Sequence, residues 1–471
     1  LSGSVDASGG PILYRLPYLA DVARRFALLA RRPWAVWLDS GHPAGGGRFD
    51  ICVAEPRVRV IGRNGDYQVW RGDAPPDSLD ADPFQVLRAE LGQRRPGVPG
   101  IPFAGGAVGY FGYELGNRLE RVAVPTGPGV WPELAVGIYD WALVTDHLMR
   151  RSWWVEAAPA SWDASGRDEL RAQLADPPEL APAAAAQLGA GLASNFSAAD
   201  YAAAFWRIQR YIREGDCYQV NLAQRFSAAV QGDPWDTYRR MRADNPAPYG
   251  AYLNLPFGQV LSSSPEQFLG LSAGQVTTRP IKGTRPRGPT RVEDDALRAA
   301  LRESEKDRAE NLMIVDLLRN DLGKVCRPGS IRVPELFKVE SFATVHHLVS
   351  TVTGELRADS DALQLLRSCF PGGSITGAPK RRAMQVIAEL EPDRREVYCG
   401  SIGWIGYDGA MDSSIAIRTL LWSDSRVRYW AGGGIVADSE LQSEYRETFA
   451  KAAAFFRLFG LRADEVGPEF A

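Results

Sequence analysis

Apolar side chains recur at Tyr201, Phe205, Ile208 and Ile212, the spacing of one buried face of an α-helix, with Ser197 placed to cap its start and Gly215 to end it. The pattern predicts a helix from Ser197 to about Arg213. Earlier in the chain, the β-forming runs Trp34–Leu38, Phe49–Val53 and Tyr67–Trp70 sit between Gly/Pro turns, and Pro83–Leu91 reads as a helix. Strands are expected at Tyr218–Phe226, Gly250–Leu255 and Val260–Ser263. Phe268–Leu271 and Val276–Pro280, joined by Ser272–Gly274, read as a hairpin. One long helix is expected over Asp294–Leu318, with others at Ala362–Leu366 and Lys380–Leu390. Strands at Gly400–Gly406, Ser413–Trp422 and Val427–Trp430 lead to a closing helix near Glu440–Phe459. Strands and helices come in blocks, which favours an α+β fold over a doubly wound sheet. The stretch from Asp176 to Ser194 is rich in Pro, Ala and Gly. It reads as a linker between an N-terminal portion (11–180) and a C-terminal portion (195–465), or as a long surface loop.

Composition narrows the classes. The chain has 471 residues, 45% hydrophobic and 24% charged, as an ordinary globular enzyme does. Lys+Arg 54 against Asp+Glu 57 gives a net charge of −3 without a long block of one sign, so no nucleic-acid-binding face is expected. The five cysteines form no CxxC pair and there are only four histidines, which argues against a zinc cage and for reduced thiols in a cytoplasmic protein. No apolar run of 18 or more residues exists, so no membrane span is expected. The Ser/Gly-rich opening, Leu1–Gly10, is set aside from fold reasoning.

Several segments could carry chemistry. Glu444, Glu447 and Lys451, spaced i, i+3, i+7, share one helical face, where two carboxylates suit Mg²⁺ and a lysine suits a substrate anion. A charged face that is merely solvated has the same pattern. Upstream, AGGGIVADSE places Gly432, Gly433 and Gly434 in what reads as a Gly-rich turn, whose backbone N–H groups can approach an anion. Glu310, beside Leu312, Met313 and Ile314, sits at a pocket rim or on a solvated helix. Asp316, Arg319 and Asp321 read as helix-end ion pairs. Glu266 and Lys282 flank the hairpin, and an acid beside an amine suits proton transfer with covalent catalysis. An ordinary lysine, with a pKa of ~10.4, must be depressed by desolvation or nearby positive charge to serve as a nucleophile. An exposed loop lysine is the plainer reading. In GGSITGAPKRRA, Ser374 and Thr376 stand at the mouth of a helix, as a carboxylate cradle or simply a cap.

The strings GDCYQVNLAQRF, SSSPEQF, RPIKGTRPRG, ENLMIVDLLRNDLG, HHLVS, GSITGAPK, AIRT and AGGGIVADSE…EYRETFAKA together resemble the chorismate-utilising enzymes in order and spacing. The resemblance is strong over about Ser197–Gly460. It continues more loosely through VWLDSG and GGAVGYFGYELG, which look like amino-acid-pocket segments. It implies an α+β fold of two large, orthogonally packed antiparallel sheets with helices outside, built from both portions of the chain. By position, it implies Glu310 and Glu447 as magnesium ligands with Glu444 a nearby acid, and His347 and Ser374 around the substrate ring. It likewise implies that Tyr398, Arg418, the Gly432–Gly434 amides and Lys451 hold the two carboxylates of chorismate. Lys282 separates the members: anthranilate synthases typically have Ala there, and isochorismate and salicylate synthases lack GDCYQVNLAQRF with a long N-terminal portion. PIKGT with CYQVNLAQRF is similar to the branch that forms 4-amino-4-deoxychorismate, the step toward p-aminobenzoate and folate. In that branch Lys282 would attack C2 of chorismate and Glu266 would protonate the departing C4 hydroxyl. No Gly-x-Cys-x-Gly elbow is present, so the resemblance implies ammonia from a separate glutaminase subunit in a heterodimer. It also implies an N-terminal pocket, with Ser40 in its matching segment, that takes tryptophan. The alternatives are an anthranilate or isochorismate synthase, or a non-catalytic protein that binds chorismate or tryptophan.

Overall fold

The computed structural model describes residues 10–462 except 126, 128, 158–163 and 190, together with residue 466. Leu1 to Gly9 of the opening stretch lie outside the described residues. The chain forms an α+β fold of two large antiparallel sheets, one of 13 strands and one of 12, with the helices packed around them. Segments far apart in sequence pair directly. Ala35–Asp39 lies against Tyr249–Leu255 in the first sheet, and Gly106–Phe111 against Ser401–Gly406 in the second. The residues between Asp176 and Ser194 cross in mostly irregular chain, touching the long strand Gln219–Gln231 through Gln187–Leu188 and Ala193–Ser194.

Several strands are buried along their whole length. Every position of Leu134–Tyr139 and Trp141–Asp146 is buried. The helix Ala198–Arg213 forms where its periodicity places it: Ser197 accepts from the backbone N–H of Asp200, while Tyr201, Phe205 and Ile208 are buried. The Pro83–Leu91 helix and the hairpin Gln267–Ser272 with Gln275–Arg279 also match the sequence pattern. All five cysteines are buried and unpaired, and no helix among the described residues is long and apolar enough to cross a membrane.

Two predicted elements are divided, and both divisions shape the site. The expected helix over Asp294–Leu318 is two helices, Arg291–Glu303 and Glu305–Gly323. Ser304 between them adopts extended backbone (ψ 110°), and its hydroxyl accepts from Asp307 N–H, so it ends one helix and caps the next. The expected strand Ser413–Trp422 is also two, Met411–Ile415 in the 12-stranded sheet and Thr419–Ser423 in the 13-stranded sheet. The chain changes sheet at Arg418, whose φ of 53° turns the backbone sharply. That turn brings residues from the two sheets to one place.

Candidate active site

Side chains alternate across strands, and this sorts the hairpin's two faces. Pro265, Gln267, Arg279 and Ile281 face a cavity of about 420 Å³ bounded also by Asp39, Phe49 and Trp404. Glu266 and Lys282 turn the other way and meet the closing helix. Glu266 is 5% exposed. Burial pushes its carboxyl up to about 7, against the opposing pull of the Ser374 hydroxyl, Lys282, the Ile281 N–H and Lys451. Burial likewise lowers the half-buried Lys282 amine, and Lys451 adds to this, while Glu310, Glu266 and Glu447 act to raise it. An acid held up and an amine held down are matched for proton transfer and nucleophilic attack near neutral pH.

The acids predicted on the closing helix, Leu441–Leu458, do share a face, and the helix Glu305–Gly323 brings Glu310 to them. Burial raises Glu310, with Asp307 and Glu447 adding to it and Lys282 and Lys306 opposing. Burial opposes ionisation of Glu447 too. Lys451, 2.6 Å away, outweighs it with help from Lys306 and Lys282, so Glu447 stays below its ordinary value. Glu444 is raised by burial, and its Oε1 accepts from Ser439 at 2.6 Å and lies 3.9 Å from Lys306. Among the described residues no three His, Cys, Asp or Glu side chains converge as a metal cage. Glu310 makes no ion pair among them, and with Glu447 it forms a pair of oxygen donors of the kind Mg²⁺ takes alongside water and substrate oxygens.

Around this cluster lie the other expected residues. The His347 imidazole is lowered by burial to about 4, with Arg418 contributing, so it is neutral at physiological pH. Its Nδ1 lies 3.0 Å from the Thr284 hydroxyl. Arg418 donates to the Lys451 carbonyl at 2.9 Å, and Lys451 Nζ donates to the Gly432 carbonyl at 2.9 Å. Tyr398 stacks on Trp430, with ring centroids 6.2 Å apart and planes 10° from parallel.

Two expectations are corrected. Gly432–Gly434 are not in a turn but in the strand Arg426–Ile435, opposite Ala223, Leu222 and Asn221. Space is short there: a Cβ on Gly432 would lie 2.7 Å from the Leu222 carbonyl oxygen, one on Gly433 2.8 Å from Glu444 Oε2, and one on Gly434 3.0 Å from Gln219. Ser374 and Thr376 do not stand at a helix mouth, since Gly377–Ala378 and Pro379 intervene before Lys380–Leu390. Ser374 sits in the 3₁₀ turn Gly373–Ile375, while the buried Thr376 hydroxyl donates to the Gly372 carbonyl at 3.0 Å. The helix-end ion pairs do form, Asp316 with Arg319 and Asp321 with Lys324, each at 2.8 Å, and the buried Asp321 also meets the buried Lys380 at 2.6 Å. Ser40 is buried behind Gly47, which lines the neighbouring cavity, and its N–H donates to Asp50 at 2.6 Å.

Gly433→Ala should therefore displace the Glu444 carboxylate and cost about 1–2 kcal/mol, as overpacking does. Chemical denaturation checks it. An unchanged midpoint would mean that the strand and helix can separate freely there.

A profile describing chorismate binding enzymes matches residues 39–457, and the chain belongs to that family. It is 48% identical over 450 residues, 94% of this chain and 97% of the relative, to aminodeoxychorismate synthase component 1 of Klebsiella aerogenes. It is 45% identical over 449 residues, again 94% and 97%, to the protein of that name in Escherichia coli strain K12. Among solved structures it resembles anthranilate synthase component I from Streptococcus pneumoniae TIGR4, with a TM-score of 0.75 and 32% identity over 86% of this chain and 91% of that one.

Proposed function

We propose that this chain converts chorismate and ammonia to 4-amino-4-deoxychorismate, the amino precursor of p-aminobenzoate. The observation that carries the reading is the acid–amine pair of opposite tuning, the buried Glu266 held up to about 7 and the half-buried Lys282 held down. The neutral Lys282 amine forms a bond to C2 of the ring. Both conjugated ring double bonds shift, the C4–O bond breaks, and Glu266 delivers its proton so that the hydroxyl leaves as water. Ammonia then bonds at C4, both double bonds return and the lysine leaves from C2 with a proton that the added ammonia gives up, so the enolpyruvyl group is retained. Lys451, Arg418, Tyr398 and the Gly432–Gly434 backbone hold the two carboxylates, and the neutral His347 stands beside the ring. Glu310 and Glu447, with Glu444 behind them, would hold a magnesium ion that supplies countercharge for the ring carboxylate.

Two features extend the reading. The relatives' designation as component 1 supports a partner subunit, and a glutaminase supplying ammonia fits the missing cysteine elbow. The cavity beside the hairpin, with Phe49, Phe342 and Trp404 in its wall, suits an aromatic amino acid such as tryptophan. The deciding experiment is mass-resolved product analysis of chorismate with Mg²⁺ and ammonium at mildly alkaline pH. Aminodeoxychorismate is the expected product. Anthranilate or isochorismate as the main product would overturn the assignment while leaving the family intact.

A further inference from the structure

Between the helix Lys380–Leu390 and the strand Ser401–Gly406, the loop residue Arg395 is 1% exposed and never reaches the acid–amine cluster. Its guanidinium is nonetheless almost fully used. Nε and Nη2 donate to the two oxygens of Glu391 at 2.9 and 2.7 Å, Nη1 donates to the Ile375 carbonyl at 2.9 Å, and Nη2 donates also to the Asn221 carbonyl at 2.8 Å. Four of the five N–H donors of a guanidinium are thus committed. The group lies over the Tyr113 ring at 4.7 Å and the Tyr398 ring at 5.9 Å, and its own carbonyl accepts from Tyr398 N–H at 2.9 Å.

Each partner leads to a different piece of the site. Ile375 is the residue after Ser374, whose hydroxyl meets the Glu266 carboxyl. Asn221 lies directly opposite Gly434, and its N–H donates to the Thr376 carbonyl at 2.9 Å. Tyr398 stacks on Trp430, in the strand that carries the three glycines. Glu391, which completes the fork, also accepts from Ala223 N–H at 2.9 Å on the strand beside Gly432. Glu114 holds the loop from behind, accepting from the N–H groups of Arg395 and Glu396 at 2.8 and 3.0 Å.

We propose that Arg395 is a positioning residue of this enzyme. One guanidinium fixes the Ser374 turn, the glycine strand and Tyr398 relative to one another, and so sets how closely the Ser374 hydroxyl approaches Glu266. Its charge is matched by Glu391, so its contribution is geometric. Lysine cannot replace it, because three donors at a single point cannot span a bidentate carboxylate and two separate carbonyls. The inference takes its meaning from the proposed reaction, but its test does not depend on turnover.

The test is Arg395→Lys in the full chain, read by the infrared carbonyl band of protonated Glu266, which is assigned through its loss in Glu266→Gln. The charged and titratable groups around Glu266 are Lys282 beyond the hairpin, Lys451 on the closing helix and Cys399 in the loop after Arg395. All remain in the variant. Moving the Ser374 hydroxyl away should raise the midpoint of that band by about half a pH unit, Ser374→Ala alone should do the same, and the double variant should move it no further. A mere loss of stability would shrink the signal without moving its midpoint. Turnover should fall by about a hundredfold, the size of a misplacement of roughly 1 Å. An unmoved midpoint in folded Arg395→Lys, or additive shifts in the double variant, would overturn the proposal. Should Arg395→Lys not fold, Glu391→Gln keeps the guanidinium but loosens its fork, and the same two outcomes decide. Because the midpoint is read without substrate, absence of product from the wild type counts against the proposed function alone.

Discussion

Lys282→Ala is expected to leave a folded protein that forms aminodeoxychorismate about a thousandfold more slowly, a loss of about 4 kcal/mol of transition-state stabilisation. At an ordinary pKa of ~10.4, fewer than about one amine in a thousand is neutral at pH 7. Burial lowers Lys282, which raises that fraction, and alanine removes the nucleophile altogether. Lys282→Arg should be as inactive, since a guanidinium stays protonated and cannot attack. Product formation by mass-resolved chromatography checks both. Intact-protein mass of the wild type with chorismate and no ammonia adds a direct readout, an adduct of chorismate less one water on Lys282. A Lys282→Ala protein within tenfold of the wild type would remove the covalent step from the mechanism.

Glu266→Gln should cost the reaction about 10²–10⁴-fold, the usual worth of a positioned general acid. The same change should stabilise the fold, but only at higher pH. The carboxyl sits near 7 in the folded state against an ordinary 4.5. Below 4.5 it is protonated whether the chain is folded or not. From there up through about 7, the folded chain binds the proton more tightly than the unfolded one, so wild-type stability falls as pH rises. Glutamine does not titrate, and the variant should gain up to about 3 kcal/mol over the wild type at pH 8 relative to pH 5. Urea denaturation at the two pH values is the measurement. An equal difference at both would show that Glu266 is not held up by its surroundings. The reactive form needs Glu266 protonated and Lys282 neutral, so wild-type activity should pass through a maximum and fall toward both acid and alkaline pH, a bell-shaped profile.

The two predictions share one origin, a site whose residues destabilise their own charged states. Glu266, Lys282 and Glu310 are each pushed towards neutrality by burial. Substrate carboxylates and a cation would restore the balance of charge on binding. The protein carries this strain on a rigid frame of two sheets, which is where such tuning can be maintained.

Much of this was readable along the chain. The helix Ala198–Arg213, its Ser197 cap, the hairpin beside Glu266 and the shared face of Glu444, Glu447 and Lys451 depend on 3.6-residue or two-residue periods and on nearby caps. Those are properties of a few consecutive residues. The ordered motifs of residues 197–460 were enough to point to chorismate chemistry. Tertiary structure decided the rest, because the determining partners are remote. The strand break at Arg418 follows from the chain passing between sheets, and the placement of Gly432–Gly434 inside a strand from pairing with Asn221, Leu222 and Ala223, far earlier in the chain. Asp321 became a buried partner of Lys380, 59 residues away, and Arg395 tied together carbonyls 20 and 174 residues distant. Local sequence carries periodicity and capping, whereas the depth at which a carboxyl or amine is buried depends on what the fold stacks over it. That depth is what turns Glu266 and Lys282 from an acid and an amine on a hairpin into a pair able to react.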